Sequence, residues 1–235
     1  IKNLPWRVRW KTRLHFVETS APLTERQRGL LGNRANWHRS MIDALNACDG
    51  EAVIFSNELV DAFPVRRFQK TTAGWQELAV HFDDRKLPCE SLLPPTPLPD
   101  SSGFLASHTC GQRIEVHESY HAYLNGWMPL WKSGRMLTID YGATTENLYF
   151  RRPGGSLRAY LFQQGLEGPA VYENPGRQDL TADVNFTDLQ KWSEPWVTGH
   201  KLTSLGEFLQ ATPDAAGLAG PHGAGGAFFV LEQQR

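Results

Sequence analysis

Residues 52–58 read Ala-Val-Ile-Phe-Ser-Asn-Glu. The unbroken apolar run 52–55 is followed at once by the polar residues 56–58. A run without alternation is typical of a strand that is buried on both faces of a parallel sheet. Two similar runs, residues 14–17 and 136–139, end in Glu18 and Asp140. Segments with helical spacing separate these runs, so the sequence predicts an α/β fold with a largely parallel sheet.

Acidic residues therefore follow three predicted strands. In open α/β sheets, ligands bind in the crevice at the carboxyl ends of the strands, and a carboxylate there typically accepts two hydroxyls of a nucleoside sugar. Polar residues end many strands, but three acids in this position favour a functional crevice. If a helical turn follows Asn57, Glu58 and Asp61 share a face. That pair suits a guanidinium ligand, although acids that merely begin a helix are the simpler alternative.

The rest of the chain divides into helices and one insertion. Ser20 is expected to cap a helix that carries Pro22 in its first turn. Residues 66–112 read as an insertion, because an alternating hairpin pattern precedes a proline-rich stretch that cannot be a central element. Further segments are predicted as helices near 41–45, 113–132, 188–192 and 204–210, and as a last strand at 227–231.

Composition excludes several classes of protein. The 235 residues carry a net charge of -1, which argues against a dedicated nucleic-acid binder. Apolar residues make up 40% and charged residues 21%, unlike a disordered chain. No apolar run approaches the roughly 18 residues of a membrane helix. The 3 cysteines form no CxxC pair, so a reducing, cytosol-like compartment is expected.

Two motifs resemble known ligand-binding patterns. His117-Glu118-Ser119-Tyr120-His121 matches the zinc-binding pattern HExxH, in which two histidines one helical turn apart hold the metal. A third ligand is not evident, so a zinc hydrolase is the weaker alternative. The glycine-rich stretch 217–226 precedes a strand instead of following one, which predicts a flexible loop and not a phosphate-binding loop.

Five blocks resemble one methyltransferase family. They are FVETSAPL at 16–23 with Gln27, SNELVDAFPV at 56–65, IDYG at 139–142, LRAY at 157–160, and PG at 175–176 followed by DLTA at 179–182. Their order and spacing resemble the MidA-like family, which includes the mitochondrial complex I assembly-factor arginine methyltransferase. The resemblance runs from about residue 14 to 231 and rests on the combination of blocks.

The resemblance implies a class I, Rossmann-like methyltransferase sheet with S-adenosylmethionine as cofactor. Residues 1–65 would be part of the cofactor-binding core, 66–112 a β and proline-rich insertion, and 113–235 the remainder of the core with a family-specific end. The glycine-rich cofactor loop of the family would precede residue 1, so the chain is expected to be truncated at its N-terminus.

The same resemblance assigns the site residues. Glu18 would bind the ribose hydroxyls, with Ser20, Asn57 and Glu58 also at the cofactor. Asn57, Glu58 and Asp61 would be catalytic. The residues assigned to the substrate are Asp140, Tyr141 and Glu118, and no metal is expected. Asp183 and Asn185 stand where the family usually has His and Asp, which makes any borrowed role there unsafe.

The implied activity is methylation of an arginine side chain in a protein substrate, with no nucleic acid and no membrane insertion. The implied location is the cytoplasm in a bacterium or the mitochondrial matrix in a eukaryote. The principal alternative is a non-catalytic assembly or binding factor on a degenerate methyltransferase fold. The sequence leaves the target protein and the oligomeric state open.

Overall fold

The computed structural model describes residues 5–210 and 224–235. The chain forms two units: residues 1–52 together with 126–134, and residues 53–125 together with 135–235. The domain boundaries expected at 65 and 112 stay a prediction. Most of the glycine-rich stretch 217–226 lies outside the described residues, so the flexible loop predicted there stays a prediction.

The first unit is built on a pair of parallel strands. Its elements are α1 (Trp6–Lys11), β1 (Leu14–Val17), α2 (Ala21–Leu31), β2 (Ala35–His38) and α3 (Met41–Asn46). β1 and β2 pair in parallel over four residues. The predicted cap of α2 is confirmed, because the Ser20 hydroxyl accepts the N–H of Leu23 at 3.4 Å. Helix α1 was not predicted.

A small core closes this first unit. Leu45 of α3, Met128 and Trp131 are buried, and all three belong to this unit. The Trp131 indole N–H donates to the carbonyl of Ala52 at 3.1 Å, which satisfies the polar atom of a fully buried ring. Gly50 has φ of +78°, and a Cβ there would lie 2.3 Å from the Leu130 carbonyl oxygen. Only glycine fits this turn.

A five-stranded mixed sheet forms the centre of the second unit. Its strands are β3 (Glu51–Asn57), β8 (Ser133–Ala143), β12 (Val184–Asn185), β13 (Gly199–Ser204) and β14 (Phe228–Gln234). β14 lies between β8 and β13 and is antiparallel to both. β3 also pairs with β8, and β12 is parallel to β8. The α/β class is confirmed, but the expected largely parallel sheet is wrong in this half.

Strand β3 departs from the expected burial. Val53 is 75% exposed and Phe55 is 65% exposed, and burial alternates along the strand. Side chains this accessible are mostly uncovered by the described residues. The prediction of burial on both faces is therefore wrong for β3 in the described part of the chain.

The insertion is a four-stranded antiparallel sheet. It contains β4 (Arg66–Thr71), β5 (Gly74–Phe82), β6 (Pro88–Leu92) and β7 (Arg113–Val116). Their order is β6-β5-β4-β7. The alternating pattern correctly predicted the β4–β5 hairpin. The sheet continues beyond residue 112, because β7 belongs to it and not to the helix predicted from 113.

Helices and a smaller sheet complete the second unit. The helices are α4 (Glu118–Trp127), α5 (Thr145–Arg151), α6 (Phe186–Ser193), α7 (Leu205–Leu209) and α8 (Ala224–Ala227). The smaller sheet contains β9 (Arg158–Leu161), β10 (Gln164–Leu166) and β11 (Asp179–Thr181). No helix in the described residues has both the length and the apolar character to cross a bilayer.

Candidate active site

The turn after β3 presents Glu58 in an unusual backbone conformation. Its φ is +49°, a left-handed value that non-glycine residues rarely adopt. The Glu58 N–H still donates to the Ile139 carbonyl at 3.0 Å, so the sheet holds the residue in place. Both Asn57 and Glu58 are exposed. Strained conformations of this kind cluster at functional sites.

A buried carboxylate fixes this turn from beneath. Asp140 is fully buried, and its Oδ2 accepts the backbone N–H groups of Leu59 at 3.2 Å, Val60 at 2.9 Å and Asp61 at 3.4 Å. Its Oδ1 accepts the N–H of Tyr141 at 2.9 Å. Asp140 therefore faces backbone and is a positioning residue, whereas the sequence had assigned it to the substrate.

The pKa of Asp140 reflects two opposing influences. Burial, and then the charge of Asp61, raise this pKa to about 7, although the backbone hydrogen bonds act in the opposite direction. Because the hydrogen bonds favour the charged form, they hold the turn most strongly above pH 7, where Asp140 is ionised. Because Asp140 lies behind the turn, an acid at this strand end can hold the backbone of the turn without contact to a ligand.

Three of the predicted residues come together above the turn. The Asn57 amide donates to Glu58 Oε1 at 3.2 Å, and the Tyr141 hydroxyl donates to Glu58 Oε2 at 3.3 Å. Burial and the neighbouring Glu58 raise the pKa of Tyr141, which keeps its proton. The result is an exposed carboxylate held by two neutral donors, an arrangement that can accept hydrogen bonds from a cationic ligand.

Asp61 points the other way. It is 8% exposed, and its Oδ2 accepts a hydrogen bond from the Thr181 hydroxyl at 2.7 Å. Its Oδ1 is buried without a hydrogen-bond partner among the described residues. Glu58 and Asp61 do not share one exposed face, because the left-handed Glu58 prevents the helical turn that the i, i+3 spacing assumed.

Aromatic packing supports the end of the same segment. The Phe63 ring meets Tyr120 edge-on at 5.0 Å between centroids, and it lies 5.3 Å from the Tyr123 ring. Both tyrosines belong to α4. Phe63 thus anchors the chain where it leaves the turn, and this packing limits the movement of residues 58–63.

The HExxH motif does not assemble a metal site. His117 is fully buried, with its Nε2 unpartnered in the described structure, and the His121 ring stacks on Trp192 at 4.7 Å. Glu118 pairs with Arg66 at 3.0 Å. No group of three metal-binding side chains occurs among the described residues. The side chains of the motif therefore point to separate surroundings, and Glu118 is engaged by the insertion sheet.

Two further predicted residues lie in the first unit. Glu18 follows β1 directly, and its N–H donates to the His38 carbonyl at 3.0 Å. Its Oε1 accepts the N–H of Ser20 at 2.8 Å. The side chain is half-buried. Ser20 uses its hydroxyl to cap α2 and its N–H to hold the Glu18 carboxylate, so it positions Glu18.

The sequence missed how the later blocks support the site. Thr181, inside the DLTA block, is the residue that holds Asp61. Asp183 pairs with Arg158 and, at 3.5 Å, with Arg152. Asn185 caps α6 through the N–H of Thr187. The signal was present in the motif resemblance, but nothing in the spacing tells which side chains meet across more than a hundred residues.

A comparison with family models decides the relationship. Residues 2–200 match the model of a family described as "Putative S-adenosyl-L-methionine-dependent methyltransferase". The chain belongs to this family. The match covers the β1 end with Glu18, the turn after β3 and the end of β8, so all of the candidate residues lie within the methyltransferase match.

Curated relatives agree with that assignment. The chain is 28% identical over 177 residues to the protein arginine methyltransferase NDUFAF7, mitochondrial, of Danio rerio, which covers 74% of this chain and 38% of that protein. The Homo sapiens protein of the same name is 29% identical over 190 residues, covering 75% of this chain and 37% of that protein. The chain thus spans less than two fifths of these relatives.

Solved structures show the same fold. A COG1565 superfamily member and likely methyl transferase from Burkholderia thailandensis, bound to S-adenosyl-homocysteine, is 23% identical with a TM-score of 0.76. The match covers 95% of this chain and 64% of that one. A native COG1565 superfamily protein from the same organism is 25% identical with a TM-score of 0.78, covering 95% and 66%. The fold of this methyltransferase family member is therefore shared across nearly its whole length.

Proposed function

We propose that this chain is part of an S-adenosylmethionine-dependent methyltransferase that methylates an arginine side chain of a protein. The observation that carries the proposal is the exposed Glu58 carboxylate, held in a left-handed turn by Asn57 and Tyr141. Two curated relatives of this chain are named protein arginine methyltransferases. A guanidinium is the substrate group that best matches a fixed, exposed carboxylate.

Glu18 supports the choice of cofactor. A carboxylate directly after a parallel strand is well placed for the two hydroxyls of a ribose. Ser20 occupies Glu18 Oε1 and fixes the orientation of the carboxylate. The Glu18 carboxylate, as a hydrogen-bond acceptor, therefore fits the ribose hydroxyls of S-adenosylmethionine. That cofactor would supply an electrophilic methyl group when bound.

Glu58 has the direct role toward the substrate. Its carboxylate would accept hydrogen bonds from the target guanidinium and fix the nitrogen that attacks the methyl group. The negative charge would also stabilise the positive charge that develops on that nitrogen, which releases one N–H proton to solvent as it takes the methyl group. The Asn57 amide and Tyr141 hydroxyl hold the carboxylate, which reduces the reorganisation that the reaction requires.

Two buried carboxylates would act through this arrangement. Asp140 holds the backbone of residues 59–61 and so fixes the direction in which Glu58 points. Asp61 is held by Thr181, which ties the turn to β11. We therefore assign both to positioning and reserve direct contact with the substrate for Asn57, Glu58 and Tyr141.

The proposed location follows from the relatives. The curated proteins from Danio rerio and Homo sapiens carry the word mitochondrial in their names. We place the protein in the mitochondrial matrix if its source is a eukaryote and in the cytoplasm if it is a bacterium. The proposed partner is a protein that presents a target arginine.

The test uses the full-length protein that carries this sequence. Calorimetric titration with S-adenosylhomocysteine should show binding, and Glu18→Ala should weaken it by about 1–3 kcal/mol through loss of a charged hydrogen bond. Unchanged affinity in Glu18→Ala would remove the ribose role. Absence of any binding to the unaltered protein would overturn the enzyme and favour the non-catalytic assembly factor.

Glu58→Gln separates chemistry from cofactor binding. The amide keeps the shape of the side chain but loses the charge, so we expect methyl transfer to fall at least about a hundredfold. Transfer is measured with radiolabelled S-adenosylmethionine and an extract of the source organism as substrate. Affinity for S-adenosylhomocysteine should stay nearly unchanged. Retained transfer would exclude Glu58 from the catalytic role.

A further inference from the structure

A cleft of about 380 Å³ opens beside Tyr141 in the second unit. Tyr141 and Leu148 contribute to its walls, together with the three arginines Arg151, Arg152 and Arg158. These side chains come from the end of β8, from α5 and the residue directly after it, and from β9. The cleft is large enough to receive a side chain and its adjoining backbone.

The cleft has an excess of positive charge. Asp183 is the acid on its lining, and both of its oxygens are used, one by Arg158 and the other by Arg152 at 3.5 Å. Arg151 is exposed and makes no ion pair within the described residues. Three arginines against one aspartate leave two positive charges for a ligand to neutralise.

Several contacts hold the guanidinium of Arg158 in place at the wall of the cleft. It is held by Asp183, it donates to the Ser156 carbonyl at 3.2 Å, and its guanidinium lies 5.6 Å from the centre of the Tyr141 ring. Arg152 is only partly occupied by Asp183, because its side chain is 45% exposed. Guanidinium groups of this kind bind carboxylates with two parallel hydrogen bonds.

Tyr141 joins the cleft to the proposed guanidinium site. Its side chain lines the cleft, and its hydroxyl donates to Glu58 at 3.3 Å. A peptide whose arginine lies on Glu58 would therefore place a neighbouring residue beside the three arginines. Because Tyr141 borders both places, that neighbour is close to the target arginine along the peptide.

We propose that this cleft selects substrates by binding an acidic side chain close to the target arginine. The inference rests on the proposed function, because Glu58 has to hold the arginine. It names a substrate class, proteins with a glutamate or aspartate beside the methylated arginine. Asp183 holds Arg158 and Arg152 at the wall of the cleft.

The test measures binding of labelled peptides without requiring methyl transfer. Fluorescence anisotropy compares peptides that contain one arginine flanked by glutamate, by glutamine or by lysine. We expect the glutamate peptide to bind about threefold to tenfold more tightly than the glutamine peptide, as a partly exposed charge pair allows. This preference should shrink as salt is added. Equal affinities for the three peptides would overturn the proposal.

Variants identify the cleft as the cause. Arg151→Gln with Arg152→Gln should abolish the preference for glutamate, and both side chains are exposed, so folding should be unaffected. Arg85→Gln with Arg177→Gln is the matched control, because both arginines are exposed and neither lines the cleft. If the control removes the preference for glutamate equally, the overall charge of the protein causes that preference, and the cleft proposal fails.

The proposed role of Glu58 is tested by a separate variant. Loss of peptide affinity in Glu58→Gln, for peptides of all three kinds, would support the guanidinium site whatever the cleft does. A preference for glutamate that depends on Arg151 and Arg152, with no effect of Glu58→Gln, would retain the cleft and remove the arginine assignment. The two results are therefore read from separate variants.

Discussion

At the residue scale, Asp140 shows that an acid at a strand end serves the site without facing it. Its carboxylate accepts four backbone N–H groups, three of them from residues 59–61. These contacts determine the path of the chain that presents Glu58. The same residue explains why strand-end acids point to a functional crevice even when the side chain is fully buried.

Replacing Asp140 should therefore destabilise the protein strongly. Asp140→Ala leaves buried backbone donors without an acceptor, and we expect a loss of about 2–4 kcal/mol in the free energy of unfolding. Urea denaturation followed by circular dichroism measures it. Asp179→Ala, at an exposed position, is the control and should change little. A loss below about 1 kcal/mol in Asp140→Ala would contradict the positioning role.

His117 makes stability depend on pH. Burial lowers the pKa of His117 from 6.5 to about 4, so the folded state keeps the ring neutral while the unfolded state takes up a proton below pH 6.5. The unfolded state then binds more protons, and stability falls as the pH drops from 6.5 toward 4. The full effect is about 3 kcal/mol.

The measurement compares His117→Gln with the unaltered chain at pH 7 and pH 4.5. The variant should lose less stability over this interval, because it has no group at this position that titrates. His200→Gln, at an exposed position, should follow the unaltered chain. Parallel losses in all three proteins would show that His117 is not the source.

At the element scale, the apolar runs predicted the central strands but not what covers them. The run at 52–55 became β3, as expected, yet Val53 and Phe55 are exposed. Hydrophobicity reports which residues prefer burial, whereas burial itself depends on other segments of the chain. The turn after β3 was missed for a related reason: the left-handed Glu58 is imposed by contacts with Asp140, over eighty residues away.

The contact between β8 and β12 depends on a glycine. Gly142 has φ of +153°, and a Cβ there would lie 2.0 Å from the carbonyl oxygen of Val184. Gly142→Ala should separate the two strands and cost about 3 kcal/mol or more, since backbone atoms cannot yield. Thermal unfolding measures the change. Gly154→Ala is the control, because nothing lies within 4 Å of its Cβ position.

At the scale of the whole molecule, charge and family membership were readable from the sequence, but the division of the chain was not. A net charge of -1 gives little long-range repulsion between molecules. The SNELVDAFPV, IDYG and DLTA blocks lie far apart in the chain, and their meeting at the turn after β3 required the sheet. The arginine-lined cleft was invisible for the same reason, since its side chains come from three separate elements.

The weak net charge and the exposed face of β3 together predict self-association of residues 1–235 when they are produced alone. In the described part of the chain β3 pairs with β8 alone, so its other edge offers free backbone groups beside Val53 and Phe55. Exposed apolar edges of this kind pair between molecules. Val53→Thr with Phe55→Thr should lower the average mass measured by sedimentation at neutral pH. Val80→Thr with Phe82→Thr is the matched control, because β5 also exposes a valine and a phenylalanine but has neighbours on both sides. Equal reductions in mass by both pairs would show that apolar exposure alone is responsible and that the edge of β3 has no special role.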